Sequence, residues 1–344
     1  MTEVAFRYQM TGNSNYGDNA KNLLMTMVNY LTPTGDKAYL TATYPCSLAL
    51  TFDWVYPLLS PSERATVVSE LEAWVTTMTG GSNGWASYSS YQAAVDNHSL
   101  AWCTGIAFSL MAIEGDSSYP NLQGVVAQNM QMLHDGWLDA VSPDGSIDEA
   151  YGYANYGNLY SMNAGVAAIN CGYGDWMAGT NVLRVPRWLS ASTAGGSFMW
   201  IGDSSPTHKG DRIDPICYYP LTRSDSADPV SLWGLNRIMN REAPGDATPS
   251  QAWSPHVHRA IYYPSSLAEE VPEVLSGFFR DNLNQGSASN NKLAAYPQVG
   301  AGGHAFLHNA TDPAWSQFAA FYMIRDEWMT HNHEDDGHFS LSVD

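Results

Sequence analysis

Apolar residues recur at helical spacing through the first two-thirds of the chain. The clearest stretch opens at Ser60-Pro61-Ser62-Glu63. Ser60 suits an N-cap, Pro61 the first helical position, and Glu63 completes a capping box. Val67, Leu71, Trp74, Val75 and Met78 then fall on one face. After His98, Trp102, Ile106, Leu110 and Ile113 continue the pattern to a stop at Gly115. Val126, Met130, Leu133 and Trp137 mark the next helix, which ends near the turn signal Ser142-Pro143-Asp144-Gly145. Further helical stretches cover 17–31, 46–58, 156–170, 180–191 and 230–240, and residue 5 already reads as helix. Helix pairs joined by short polar loops bury a face only by stacking on their neighbours. The pattern therefore predicts an α-solenoid or a closed ring of helix hairpins. No repeat of fixed period is visible, which argues against TPR- or HEAT-type arrays.

The pattern changes after residues 242–255, EAPGDATPSQAWSP, which read as a linker or long loop. Beyond it, Ala260–Tyr263, Ser276–Arg280, Trp315–Arg325 and His338–Val343 are short, aromatic and partly alternating, and are predicted to be strands. Helices followed by strands imply two domains in series: a helical domain over 1–255 and the start of a β-domain over 256–344. Both ends read as cut, the final HFSLSVD as a strand that stops in mid-sheet.

Charge narrows the function. Of 344 residues, 15 are Lys or Arg and 34 are Asp or Glu, a net charge of −19. Such a surface repels phosphate backbones, so nucleic acid is excluded as a partner. No apolar run reaches the length of a membrane span, and the first residues lack the pattern of a signal peptide. The 20 Tyr and 12 Trp residues combine an apolar body with a polar tip, which suits half-wet clefts and the faces of sugars as well as ordinary packing. Cys46, Cys103, Cys171 and Cys217 lie far apart with no CxxC pair, which argues against a cysteine zinc site. Cys103, in an apolar run, reads as a buried thiol.

Three polar clusters are candidates for chemistry. Asn97-His98 opens a helix and reads either as its cap or as a site. The segment Asp144-Gly145 to Glu149, Tyr153 and Tyr156 is a turn and a tyrosine-rich helix start, suited to packing or to catalysis. His331, His333 and Asp335 alternate, so on a strand they share one face and could hold a metal or a carboxylate; off a strand they form a solvated turn. His256 and His258 have the same spacing without a following acid and read as structural. The chain has no GxSxG, P-loop or HExxH motif, and Gly300-Ala-Gly-Gly303 lacks a surrounding strand–turn–helix unit.

Taken together, the clusters resemble the heparinase II/III-like polysaccharide lyases, a family that includes alginate-lyase-like members. Phe6-Arg-Tyr8 through Gly12, Tyr16 and Ala20 resembles its opening helix hairpin. Thr51-Phe-Asp-Trp54 with Leu59-Ser-Pro-Ser-Glu-Arg64, then Asp96-Asn-His-Ser99, resemble its next two segments. Asp144-Gly145, Glu149 and Tyr153-Ala-Asn-Tyr156 are similar to its "DG … EG..Y..Y" segment. Gly202-Asp-Ser204 and the run His331-Asn-His-Glu-Asp-Asp-Gly-His-Phe339 complete the order.

The resemblance implies an incomplete (α/α) toroid followed by an antiparallel β-sandwich, truncated in this chain, with a cleft between them. It implies β-elimination on an acidic, uronic-acid-containing polysaccharide or oligosaccharide, in a secreted or periplasmic setting. Asn97 and His98 would neutralise the substrate carboxylate. Tyr153 would be the catalytic tyrosine, with Tyr156 its rival and a substrate contact. His331 would enter the site from the β-domain. Glu149 and Arg212 would bind substrate. His333 matches the ligand of a structural zinc or other divalent metal, whose remaining ligands would fall beyond Asp344. Ala150 stands where the family usually has Gly, and Gly302-Gly303-His304 where many members place an arginine. Two other classes fit the residues: a glycoside hydrolase on a helical toroid, using Asp96, Asp148 or Glu149, and a non-catalytic carbohydrate-binding relative.

Overall fold

A computed structural model describes residues 1–33, 38–80, 97–141, 159–191, 215–241 and 255–270, short pieces at 82–83, 86–87, 145, 147, 157, 193–194 and 197–198, and strands at 277–279, 303–308, 318–323 and 338–342. The described chain is predominantly helical. Its α-helices are α1 (Thr2–Thr11), α2 (Ser14–Tyr30), α3 (Ala38–Val55), α4 (Pro61–Gly80), α5 (Asn97–Ile113), α6 (Leu122–Ala140), α7 (Tyr160–Asn170), α8 (Val185–Ala191), α9 (Pro229–Arg241) and α10 (Pro255–Tyr262).

The helices form two rows. In the inner row α3 packs on α5 and α5 on α7; in the outer row α2, α4 and α6 fill the gaps between them. The sequence decides which helix goes where. In α5 every described side chain but Ala112 is buried, including Trp102, Ile106, Phe108 and Leu110. A helix apolar all round has to be surrounded. Its few polar groups are satisfied inside the helix: Thr104 Oγ1 donates to the Leu100 carbonyl at 2.7 Å and Ser109 Oγ to that of Gly105 at 2.7 Å. By contrast α4 has two sides. Val67, Leu71, Trp74, Val75 and Met78 are buried as their spacing predicts, while Ser69, Ala73 and Thr76 face solvent. Trp137 of α6 donates from Nε1 to Ser161 Oγ of α7 at 2.7 Å, a polar tie between outer and inner rows.

The start of α4 is the predicted capping box. The Ser60 N–H donates to Glu63 Oε2 at 2.7 Å and the Glu63 N–H donates to Ser60 Oγ at 3.3 Å. These bonds hold the Glu63 carboxyl below its ordinary range, the Ser60 N–H contributing most. A carboxyl lowered by folding stabilises the native state above its unfolded pKa and ceases to as the pH falls through its folded one. Ser60→Ala keeps that N–H and loses the hydroxyl acceptor, and should cost about 1 kcal/mol. Glu63→Gln removes the charge, so its gap from wild type should narrow in acid, as measured by urea unfolding at several pH values.

One stretch departs from expectation. Ala260–Tyr263, read from its pattern as a strand, lies at the end of α10 and the turn after it. Pro255 opens that helix, and Val257 and Ile261, four residues apart, lie on one face. The helix packs on a 3₁₀ segment, Pro215–Thr222, and on α1, with Tyr219 and Tyr262 meeting edge to face at 5.8 Å. Helical packing thus continues through Tyr262.

Two short hairpins, β1–β2 (Ser82–Asn83, Ala86–Ser87) and β3–β4 (Thr193–Ala194, Ser197–Phe198), sit among the helices. The later strands β5 (Gly277–Phe279), β6 (Gly303–His308), β7 (Phe318–Met323) and β8 (His338–Ser342) form one antiparallel sheet in sequence order. Three of them fall in predicted stretches; β6 does not. Its register sets His304 opposite Tyr322, and Tyr322 is opposite His338 on β8.

Candidate functional site

The candidate site starts at the first residue of α5. Asn97 opens the helix and is fully buried. His98 is the second residue of α5; its side chain lies outside the described residues. Glu149, Tyr153, Tyr156, Arg212, His331 and His333 also lie outside them. Among the described residues no group of three His, Cys, Asp or Glu side chains is arranged to hold a metal ion.

Glycines set the geometry around Asn97. A Cβ built on Gly157 would stand 2.7 Å from Asn97 Cα, 3.1 Å from Asn97 Cβ and 3.3 Å from Leu100 Cδ1. Backbone therefore lies directly on backbone, and chain positions far apart in sequence meet. Gly157 follows Tyr156 at once, so the tyrosine segment leads straight into this contact. On the other flank a Cβ on Gly136 of α6 would come within 2.6 Å of Leu100 Cδ2. The first turn of α5 is thus held between two closely approaching neighbours.

The two contacts predict different costs. At Gly157 the obstacle is the Asn97 main chain, which cannot rotate away. At Gly136 it is the far end of a leucine side chain, which can. Gly157→Ala should destabilise the fold by about 1–3 kcal/mol, in the range of overpacking, and Gly136→Ala by less. Chemical denaturation of the two variants side by side checks this.

The Asp144-Gly145 turn is anchored from beneath. Gly145 is buried with φ 94°, and a Cβ there would fall 2.2 Å from the Arg184 carbonyl oxygen. Val141 and Ile147 bridge antiparallel on either side of the turn, and Asn181 Nδ2 donates to the Val141 carbonyl at 2.9 Å. This glycine has a structural reason to be where it is: it lets the turn sit on the chain entering α8.

Further along α7, Tyr160 hydrogen-bonds to Cys46 of α3, whose thiol burial pushes up to about 12. That thiol is inert at neutral pH. Cys46, Cys103 and Cys217 are buried, as the apolar setting of Cys103 suggested, Cys171 is exposed, and none of the four is in a disulfide.

Two contributors escaped sequence reasoning. Gly157 carries a signal only in retrospect, a lone small residue beside Tyr156 in a bulky segment. Asn163, discussed below, carries none.

No protein-family model matches this chain, and no curated protein is significantly similar to it.

Proposed function

We propose that the chain is a polysaccharide lyase that cleaves a uronic-acid-containing polymer by β-elimination, built as an incomplete (α/α) toroid with a β-sandwich beside it. The observation that carries the reading is the seat of Gly157 on Asn97. The resemblance needs the Asn97-His98 pair and the Tyr153–Tyr156 segment around one sugar ring, and the contact supports that by bringing the chain just after Tyr156 onto the start of α5. The double row of helix hairpins and the order of the motifs agree with it.

The chemistry asks little else. The proton at C5 of a uronate is weakly acidic while the neighbouring carboxylate is charged. Donors aimed at that carboxylate stabilise the enolate-like intermediate, each supplying about 3–4 kcal/mol where water is excluded. Asn97 and His98 take this role. Asn97 is fully buried, so the substrate reaches its amide only as the chain covering the helix start yields. Tyr153, or Tyr156 in its place, donates a proton to the departing C4 oxygen. A phenol, with an ordinary pKa of about 10, is protonated at neutral pH and suits that step directly. The base that removes the C5 proton is the tyrosine, made anionic beside a protonated His98 or His331, or a histidine itself. A metal at His333 would supply structure in the β-domain and orient His331.

The test is incubation of the protein with a panel of uronate polymers, followed by ultraviolet absorbance. Each cleavage creates a conjugated unsaturated uronate end. Rising absorbance is expected on at least one polymer. New reducing ends without absorbance would move the assignment to a hydrolase, and neither signal on any polymer would end it.

A further inference from the structure

The inner helices have a second end. The C-terminal turns of α3, α5 and α7 surround an open cavity of about 310 Å³, closed on one side by α10. Phe108 lies eleven residues past Asn97, so the cavity is roughly 16 Å along α5 from the candidate site, at 1.5 Å per residue. Its volume is in the range of small-molecule sites.

The lining has a definite chemistry. Trp54, Phe108 and Tyr262 supply aromatic surface, and no Lys, Arg or His is among the described lining residues. Asp53 stands solvent-exposed at the mouth, beside Cys171 and Ile261. Three helix C-termini add negative potential. Surrounding protein mass raises the Asp53 carboxyl above its ordinary range, and the Cys171 thiol is raised by burial and by Asp53 and Glu114. The described walls of the cavity are therefore negative, with no cationic side chain among them. Asn163 also lines it and is only 2% exposed. Its Nδ2 donates to the Tyr160 carbonyl at 2.9 Å, which fixes the amide, and its Oδ1 has no hydrogen-bond partner. That oxygen has almost no accessible surface, so it lies behind the cavity wall rather than on its open face.

We infer that this cavity binds a small organic ammonium with an apolar, preferably aromatic, body. The apolar part fits against Phe108, Tyr262 and Trp54. The ammonium pairs with Asp53 and brings a positive charge to the indole face. An anion meets Asp53, and a neutral alcohol leaves the carboxylate without a counter-charge.

Isothermal titration with 2-phenylethylammonium, 2-phenylethanol and 3-phenylpropionate tests the assignment directly. The ammonium should bind with a Kd of about 1 mM or tighter, and the other two about 10–100-fold more weakly or undetectably. Asp53→Asn should weaken ammonium binding about 10–100-fold and bring it level with the alcohol. Ile261→Trp, at a position 45% exposed, keeps the fold and fills the mouth, so it should abolish binding of every probe. Absence of ammonium binding, equal binding of ammonium and alcohol to the wild type, or ammonium binding unchanged in Asp53→Asn and Ile261→Trp would each overturn the inference. None of these outcomes bears on elimination, which is read at the other end of α5.

Discussion

Tyr153→Phe should reduce uronate elimination by about 10²–10⁴-fold in kcat, the span that a positioned acid or base contributes. That is about 2.7–5.5 kcal/mol of barrier. The substitution removes one oxygen and keeps the ring. KM should stay near its wild-type value, and the melting temperature should move little. Loss confined to kcat is the signature of a group whose interaction strengthens in the transition state. Tyr156→Phe supplies the contrast. If it inactivates while Tyr153→Phe does not, the proton passes through Tyr156. If both single variants and the double variant keep full activity, tyrosine chemistry is wrong and a histidine carries both transfers.

The second large effect is structural. Gly145→Ala should destabilise the fold by about 2–5 kcal/mol in denaturant unfolding. Two penalties add at this position. The backbone holds φ 94°, which L-residues with a Cβ rarely adopt. The new methyl also runs into the Arg184 carbonyl, which is main chain and belongs to the packed entry of α8. Asn181→Ala, which removes the tie to the Val141 carbonyl but adds no bulk, should cost about 1 kcal/mol. A glycine explained by sterics loses its claim as a catalytic signature. The aspartate before it and the residues that follow it carry whatever chemistry the motif has.

The helical half was legible because its signals are local. Ser60, Pro61 and Glu63 announce a helix start within four residues, and the bonds they make are the ones expected. The apolar positions of α4, α5 and α6 repeat often enough that burial follows from spacing alone. Short elements gave less. In α10 two turns contain only a few apolar residues, and Ala260-Ile-Tyr-Tyr263 passes for a strand when its contacts with Tyr219 and α1 are unknown. The sheet shows the reverse. Gly300-Ala-Gly-Gly303 fails as a dinucleotide loop, and the strand Gly303–His308 that begins at its last glycine forms because two neighbours pair with it. The seat of Gly157 on Asn97 and the shared cavity of Asp53 and Asn163 join distant segments. No periodicity encodes such a meeting; it follows from packing the inner row.

That row has a consequence for how the molecule opens. The amides of α5 are covered by protein along nearly the whole helix. They should exchange with deuterium only through global unfolding, while the outward turns of α2 and α4 exchange by fraying. Any molecule that settles at either tip of α5 and is shed on denaturation will slow the same set of amides. Mass spectrometry of one peptide can then register occupancy at both.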